Sequence, residues 1–210
     1  MLNKEAGILY WFAKEPWRKY TFTELKKASG KKSKSYLEGV IKKLVKEKIL
    51  RQESVSHLPV YSLNFSSAKA RAFAGFVLEY FGWSRESIPY HDLQKIMDKC
   101  PYESYVFIVT GSYASGKQTR KSDIDAVILI EDACEPKRVY AELSQACELN
   151  IPPVHLYVFR YSEFREMLRS KEANYGKEIA KNHLILAGGQ FYVKLIGEEI
   201  ENGFDGKRLA

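Results

Sequence analysis

At 210 residues the chain can hold one large domain or two small ones, and its 45% hydrophobic and 13% aromatic content excludes a disordered polymer. The net charge of +7 is unevenly placed: residues 1–66 carry 14 Lys/Arg against 6 Glu, which leaves 19 basic and 20 acidic residues in the remainder. A basic first third beside a nearly neutral remainder predicts two domains with different partners, the first facing a polyanion. Cys100, Cys134 and Cys147 form no C-x-x-C pair, which argues against a zinc site or a disulfide framework and predicts a cytoplasmic setting. No apolar run reaches the length of a signal peptide core or a membrane span, so no membrane role is expected.

In chain order, residues 3–14 place Ile8, Leu9, Trp11 and Phe12 on one helical stripe, stopped by Pro16. Thr23 is the expected cap of a short helix over residues 24–28 that ends at Ser29-Gly30. A third helix starts at Ser33 or Lys34, with Leu37, Val40, Ile41, Leu44 and Val45 at spacings of three and four. Residues 49–53 and 60–63 read as two strands around a turn at His57-Leu58-Pro59. This order, together with the segment LVKEKILRQ, resembles winged helix-turn-helix regulators over residues 3–65. The resemblance implies double-stranded DNA as partner, met by Lys32, Lys34, Ser35 and Tyr36 at the start of the third helix, and a homodimer to read a two-fold site. Winged-helix folds also serve as protein–protein modules, and that alternative stays open.

The domain boundaries expected are 1–66, a connecting helix within 67–87, and 88–210. The connecting helix presents Ala68, Ala70, Ala72, Phe73, Phe76, Val77, Tyr80 and Phe81 as its apolar face. Residues 88–99 form a further amphipathic helix, broken at Cys100-Pro101. A helix over 136–147 and a strand over 154–159 follow. The three tryptophans are expected in packed positions, Tyr113 in an exposed loop, and the tail from Glu198 frayed at its end.

Between these lies the stretch that carries chemistry, TGSYASGKQTRKSDIDAVILI, from Thr110 to Ile130. It leaves one apolar strand, passes a small and basic loop, and enters a second strand with Asp123 and Asp125 on one face. Two adjacent carboxylates repel each other unless a cation lies between them, and their hard oxygens suit magnesium. Gly111 to Lys117 fits G-x-x-x-x-G-K, but Gln118 stands where a P-loop has Ser or Thr. Residues 118–122 also lack the apolar face of the helix that a P-loop lysine opens.

The pattern GSYASGKQTRKSDIDAVIL instead resembles the minimal nucleotidyltransferases of the DNA polymerase β superfamily, over about residues 90–195. The fold class expected is therefore α/β (α+β), a winged helix-turn-helix followed by a nucleotidyltransferase fold with a mixed sheet. The resemblance implies that Gly111, Ser112 and the turn's N–H groups hold the triphosphate of ATP or another nucleoside triphosphate. Lys117, in the loop that follows, is a candidate phosphate contact by its charge alone, not by the resemblance. It implies that Asp123 and Asp125 bind two magnesium ions for transfer of a nucleoside monophosphate to a hydroxyl. It also implies a HEPN-type protein partner in a toxin–antitoxin pair. In active members a third carboxylate follows the first apolar residue of a later strand. Here that position is His155, in Pro153-Val154-His155-Leu156, while Glu148 and Glu163 are nearby acids. An imidazole can act as base or weak ligand but brings no negative charge. Two outcomes follow: a working transferase with His155 in its catalytic set, or a DNA-binding regulator whose second domain only binds nucleotide or a partner.

Overall fold

The computed structural model describes residues 5–30 and 33–206. The first part holds three helices and a small sheet: α1 (Ala6–Lys14), β1 (Tyr20–Thr21), α2 (Phe22–Ser29), α3 (Lys34–Lys46), β2 (Leu50–Val55) and β3 (Leu58–Leu63). The three strands are antiparallel in the order β1-β3-β2. Thr21, not Thr23, caps α2. Its hydroxyl accepts from the Glu24 N–H, and the Glu24 carboxylate accepts from the Thr21 N–H at 2.8 Å, a reciprocal capping box. Thr23 therefore lies inside the first turn. Ser33 caps α3 through the Tyr36 N–H.

The hairpin turns earlier than expected, at Ser56-His57, both with positive φ, the two-residue form that matches strand twist. Pro59 sits in β3 opposite Ser54. The short β1 reaches only Val60 and Tyr61, so Pro59 withholds no ladder bond on that side.

The second part is a sheet with strand order β6-β5-β4-β7, built from β4 (Tyr105–Thr110), β5 (Ile124–Ile130), β6 (Val154–Arg160) and β7 (Leu184–Ala187). Strand β5 pairs parallel with β6, and β4 pairs antiparallel with β5 and β7. Alternation sorts its side chains into two cores. Phe107, Val109, Ile124, Ala126 and Ile128 join one that includes α5 (Tyr90–Met97) and α7 (Pro136–Glu148). Val106, Ile108, Val127, Leu129 and Ile185 join the other, with α4 (Ala68–Trp83), α8 (Tyr161–Arg169), α9 (Tyr175–Lys181) and α10 (Gly189–Glu201). That second core also contains Ile8, Leu25 and Leu37 of the first part, so one apolar cluster runs through both.

Helix α4 joins them, but by a different face from the one its aromatic residues predict. Ala70, Ala74, Gly75, Val77, Leu78 and Gly82 are buried, while Phe73 and Phe76 are 47% and 46% exposed. The reason is a close approach. A Cβ on Gly75 would overlap the backbone of Gln190, and one on Gly189 would overlap the Gly75 carbonyl. A phenyl ring has no room at such a crossing, so it turns outward. Trp83 is also 40% exposed, with its indole N–H donating to the Leu186 carbonyl at 2.7 Å. Tyr113, expected in an exposed loop, is buried with its hydroxyl donating to the Ser122 carbonyl.

The chain end differs as well. Helix α10 extends through the polar run to Glu201. Glu199 is fully buried and accepts two bonds from the Arg169 guanidinium, at 2.7 Å each. Helix α8, which supplies Arg169, carries Tyr161, Phe164 and Leu168 at spacings of three and four. Because the α4–α10 crossing has no slack, Gly75→Val is expected to destabilise by roughly 1–3 kcal/mol. In a chain of this length that is a fall in Tm of about 2–4 °C per kcal/mol, measurable by thermal denaturation.

Candidate functional site

Strand β4 ends at Thr110, and the chain turns at Gly111 with φ +65° into the one-turn helix α6 (Gly111–Ser115). Left-handed backbone at that point favours glycine. Two further bonds fasten the turn. Asn182 Nδ2 donates to the Gly111 carbonyl at 2.8 Å, and Thr110 Oγ1 donates to the Asn182 carbonyl at 2.6 Å. The helix closes at Gly116, and the Lys117 N–H donates back to the Ser112 carbonyl at 2.9 Å. Gly111 and Ser112 are half-buried, and Lys117 is exposed. Lys117 thus follows the end of a helix instead of opening one, and the strands on either side of the loop, β4 and β5, are antiparallel neighbours. Both features exclude the P-loop arrangement.

The pairing of strands assembles the rest. Thr110 lies opposite Asp125 in the β4–β5 ladder, and Asp125 lies opposite His155 in the parallel β5–β6 ladder. Asp123 precedes the first residue of β5, Ile124, rather than lying within the strand. It still shares a side with Asp125. His155 Nε2 is 3.4 Å from Asp123 Oδ2, and His155 Nδ1 is 3.9 Å from Asp125 Oδ1. The turn is pressed against the same carboxylate, since a Cβ on Gly111 would collide with Asp125 Oδ2. Burial raises the Asp125 carboxyl above the ordinary carboxylate range, His155 pulls it back, and the neighbouring Asp123 charge raises it again. The geometry therefore concentrates negative charge beside a turn with free N–H groups.

Two residues with no sequence signal complete the surroundings. Tyr175 carries a buried hydroxyl without a hydrogen-bond partner, and its ring lies 4.8 Å from that of Tyr157. Burial, then the Asp125 charge, raises its phenol above the ordinary tyrosine value. Asn182, at the end of α9, is the other. Glu163 is not near His155, because its carboxylate accepts from the Arg160 N–H at 2.6 Å, at the opposite end of β6. Glu148 is exposed at the last turn of α7.

The donor set fits a magnesium ion held by one or two carboxylates, with substrate oxygens and water completing the shell. Asp123 and Asp125 supply those carboxylates. Among the described residues no group of three His, Cys, Asp or Glu side chains is arranged to hold a metal.

Of the residues singled out in the first part, Lys34 and Ser35 are exposed at the start of α3, and Lys34 Nζ is 3.8 Å from Glu38. Tyr36 packs against the core, with a buried, unpartnered hydroxyl. Lys32 lies outside the described residues. No helix among the described residues is long and apolar enough to cross a membrane.

Residues 93–186 match the family described as the nucleotidyltransferase domain. That span runs from α5 to β7 and contains the Gly111 turn, Asp123, Asp125 and His155. The match supports a nucleotidyltransferase activity in general terms. No curated protein matches the chain. Among solved structures, a chain described as "Crystal structure of the toxin-antitoxin with AMP-PNP" aligns at 20% identity over 58% of this chain and 93% of that one, with a TM-score of 0.39.

Replacing Gly111 by Ala forces the Asp125 carboxylate aside and strains a positive-φ residue, a cost on the order of 1–3 kcal/mol. The expected outcome is a folded but less stable protein, measured by a thermal melt.

Proposed function

We propose that the chain is a metal-dependent nucleotidyltransferase that moves a nucleoside monophosphate, AMP from ATP, to a hydroxyl acceptor, and that its first part binds double-stranded DNA. The observation that carries the first half is the convergence of Gly111, Asp123, Asp125 and His155 at one end of the sheet, within the matched span. Ser112 and the N–H groups of the α6 turn hold the triphosphate. Lys117 lies one residue beyond that turn as an auxiliary cation. Asp123 and Asp125 would hold magnesium, two ions in the two-metal form of the reaction, which would supply positive charge to the phosphates. The acceptor oxygen bonds to the α-phosphorus, the bond from that phosphorus to the bridging oxygen breaks, and pyrophosphate leaves with its electron pair. His155, within 4 Å of both carboxylates, takes the proton of the acceptor hydroxyl.

A second reading rests on the same histidine. A protonated imidazole between Asp123 and Asp125 would offset one of their two charges without metal, as in a domain that only holds a nucleotide or a protein partner of the HEPN type. Incubation with α-labelled ATP, magnesium and candidate hydroxyl acceptors, a HEPN-type protein among them, separates the two. The first reading expects label transfer that falls by at least about 10²-fold in His155→Ala and further in Asp123→Asn/Asp125→Asn, with His155→Asp retaining activity. Nucleotide binding without transfer to any acceptor would leave only the second.

The DNA-binding half rests on the +8 charge of residues 1–66, the exposed Lys34 and Ser35 at the start of α3, and the hairpin that follows. Duplex affinity is expected to fall steeply with salt, by about 0.9 log units per log unit of salt for each phosphate neutralised. A flat salt dependence in a binding titration would contradict it.

A further inference from the structure

Helix α4 is apolar on its inner face and, beyond Lys69, over the middle of its outer face. Its inner face is buried against α1, β7 and α10. Its outer face carries Ala72, Phe73 and Phe76, all exposed, at helical-neighbour spacing. An outward helix face ordinarily carries charge, and a helix apolar all round is ordinarily covered on all sides. Beside the two rings lies a groove of about 300 Å³ between α1, α3 and α4, floored by Leu9, Leu44 and Val77.

We infer that this face is the contact surface for a second copy of the chain, related by a two-fold axis that sets Phe73 and Phe76 of each copy into the groove of the other. A two-fold contact sets a patch against itself, so the patch must carry both the projection and the recess. Here the two lie side by side. The same symmetry penalises unpaired charge, which would face its like across the axis. The charges at this rim are already matched within one chain. Lys43 Nζ pairs with Glu5 at 3.1 Å and Lys69 Nζ with Glu47 at 2.6 Å. Arg71 is committed to the Phe65 carbonyl, and Glu79 to the Gly189 N–H at 2.6 Å. Among the described residues the patch is thus locally neutral on a chain of net charge +7, which lets two like-charged copies approach there. Half-exposed phenyl rings from both copies would bury on the order of 400 Å² among the four of them. That is about a quarter of a standard interface, as a central anchor should supply, with the groove walls and rim providing the rest.

Sedimentation equilibrium of the full chain over a micromolar concentration series tests this. The expected result is a species of twice the 24.2 kDa chain mass, lost in Phe73→Glu/Phe76→Glu with at least a 100-fold weaker association. Ala72→Arg is the second variant, since it adds an exposed charge and leaves both rings and the core in place. It must also dissociate the pair, with an unchanged circular dichroism spectrum. Phe191→Glu, at an exposed ring on α10, must leave it intact. A monomeric wild-type chain overturns the inference, as does a dimer that survives Ala72→Arg, or a dissociating Phe191→Glu.

Discussion

The crossing of α4 over the start of α10 is the contact on which the arrangement depends. Gly75 and Gly189 meet backbone to backbone, and Gly82 brings the same helix onto the Ile185 carbonyl of β7. Contacts this close exclude side chains and so fix where the helices lie more tightly than interleaved leucines would. The consequence passes outward in both directions. On one side α4 receives α1, and with it the apolar cluster of the first three helices. On the other it holds β7 at the sheet edge next to β4. The Glu79 carboxylate accepts from the Gly189 N–H, which anchors the N-terminus of α10 to the same helix.

Strand β7 matters because the residues just before it reach the site. Asn182 donates to the Gly111 carbonyl and accepts from Thr110, so the turn that faces the carboxylates is tied to the α9–β7 junction as well as to its own strand. His183, beside it, is buried, and burial holds its imidazole down to about 4, neutral at ordinary pH. Its Nδ1 faces the Ile179 and Ala180 carbonyls. A neutral ring can be packed there without a counter-charge, and the junction stays rigid next to a site dense in charge. A glycine with no room for a methyl, an amide and a neutral histidine thus hold the turn in place.

Much of this was legible in the sequence where local rules act alone. Gly111, Asp123 and Asp125 announced themselves by type and spacing, and parallel pairing brought His155 beside them. The antiparallel β4–β5 hairpin is what the absent helical face of residues 118–122 required. Errors arose where tertiary contacts override local preference. Phe73 and Phe76 look like core by periodicity, yet the glycine crossing leaves no space for rings. The run from Glu198 looks frayed by composition, yet Arg169, a helix away, makes Glu199 a buried helical residue. Thr23 lost the cap to Thr21 because Glu24 stands three residues after Thr21 and returns the bond. Tyr175 and Asn182 could not be found, since a lone tyrosine and a lone asparagine gain a role only through partners on other elements, Tyr157 and Asp125 for the first and Gly111 for the second.

The histidine beside the two aspartates changes the electrostatics of the site more than its chemistry. Three carboxylates in one place would all be raised by mutual repulsion, and the ion that relieves them would be needed for stability as well as for reaction. With an imidazole beside two carboxylates the balance differs. Burial and Asp123 raise Asp125, and the imidazole opposes them. The site without metal is therefore less strained than a triad of acids, and it also attracts a divalent cation less strongly. On the nucleotidyltransferase reading, the phosphate oxygens of the nucleotide must then supply the missing negative ligands, so metal and nucleotide enter as one charged unit. On the binding-only reading, a protonated His155 would offset one of the two charges. Both readings rest on the imidazole beside the two acids, and they differ in which cation meets Asp123 and Asp125.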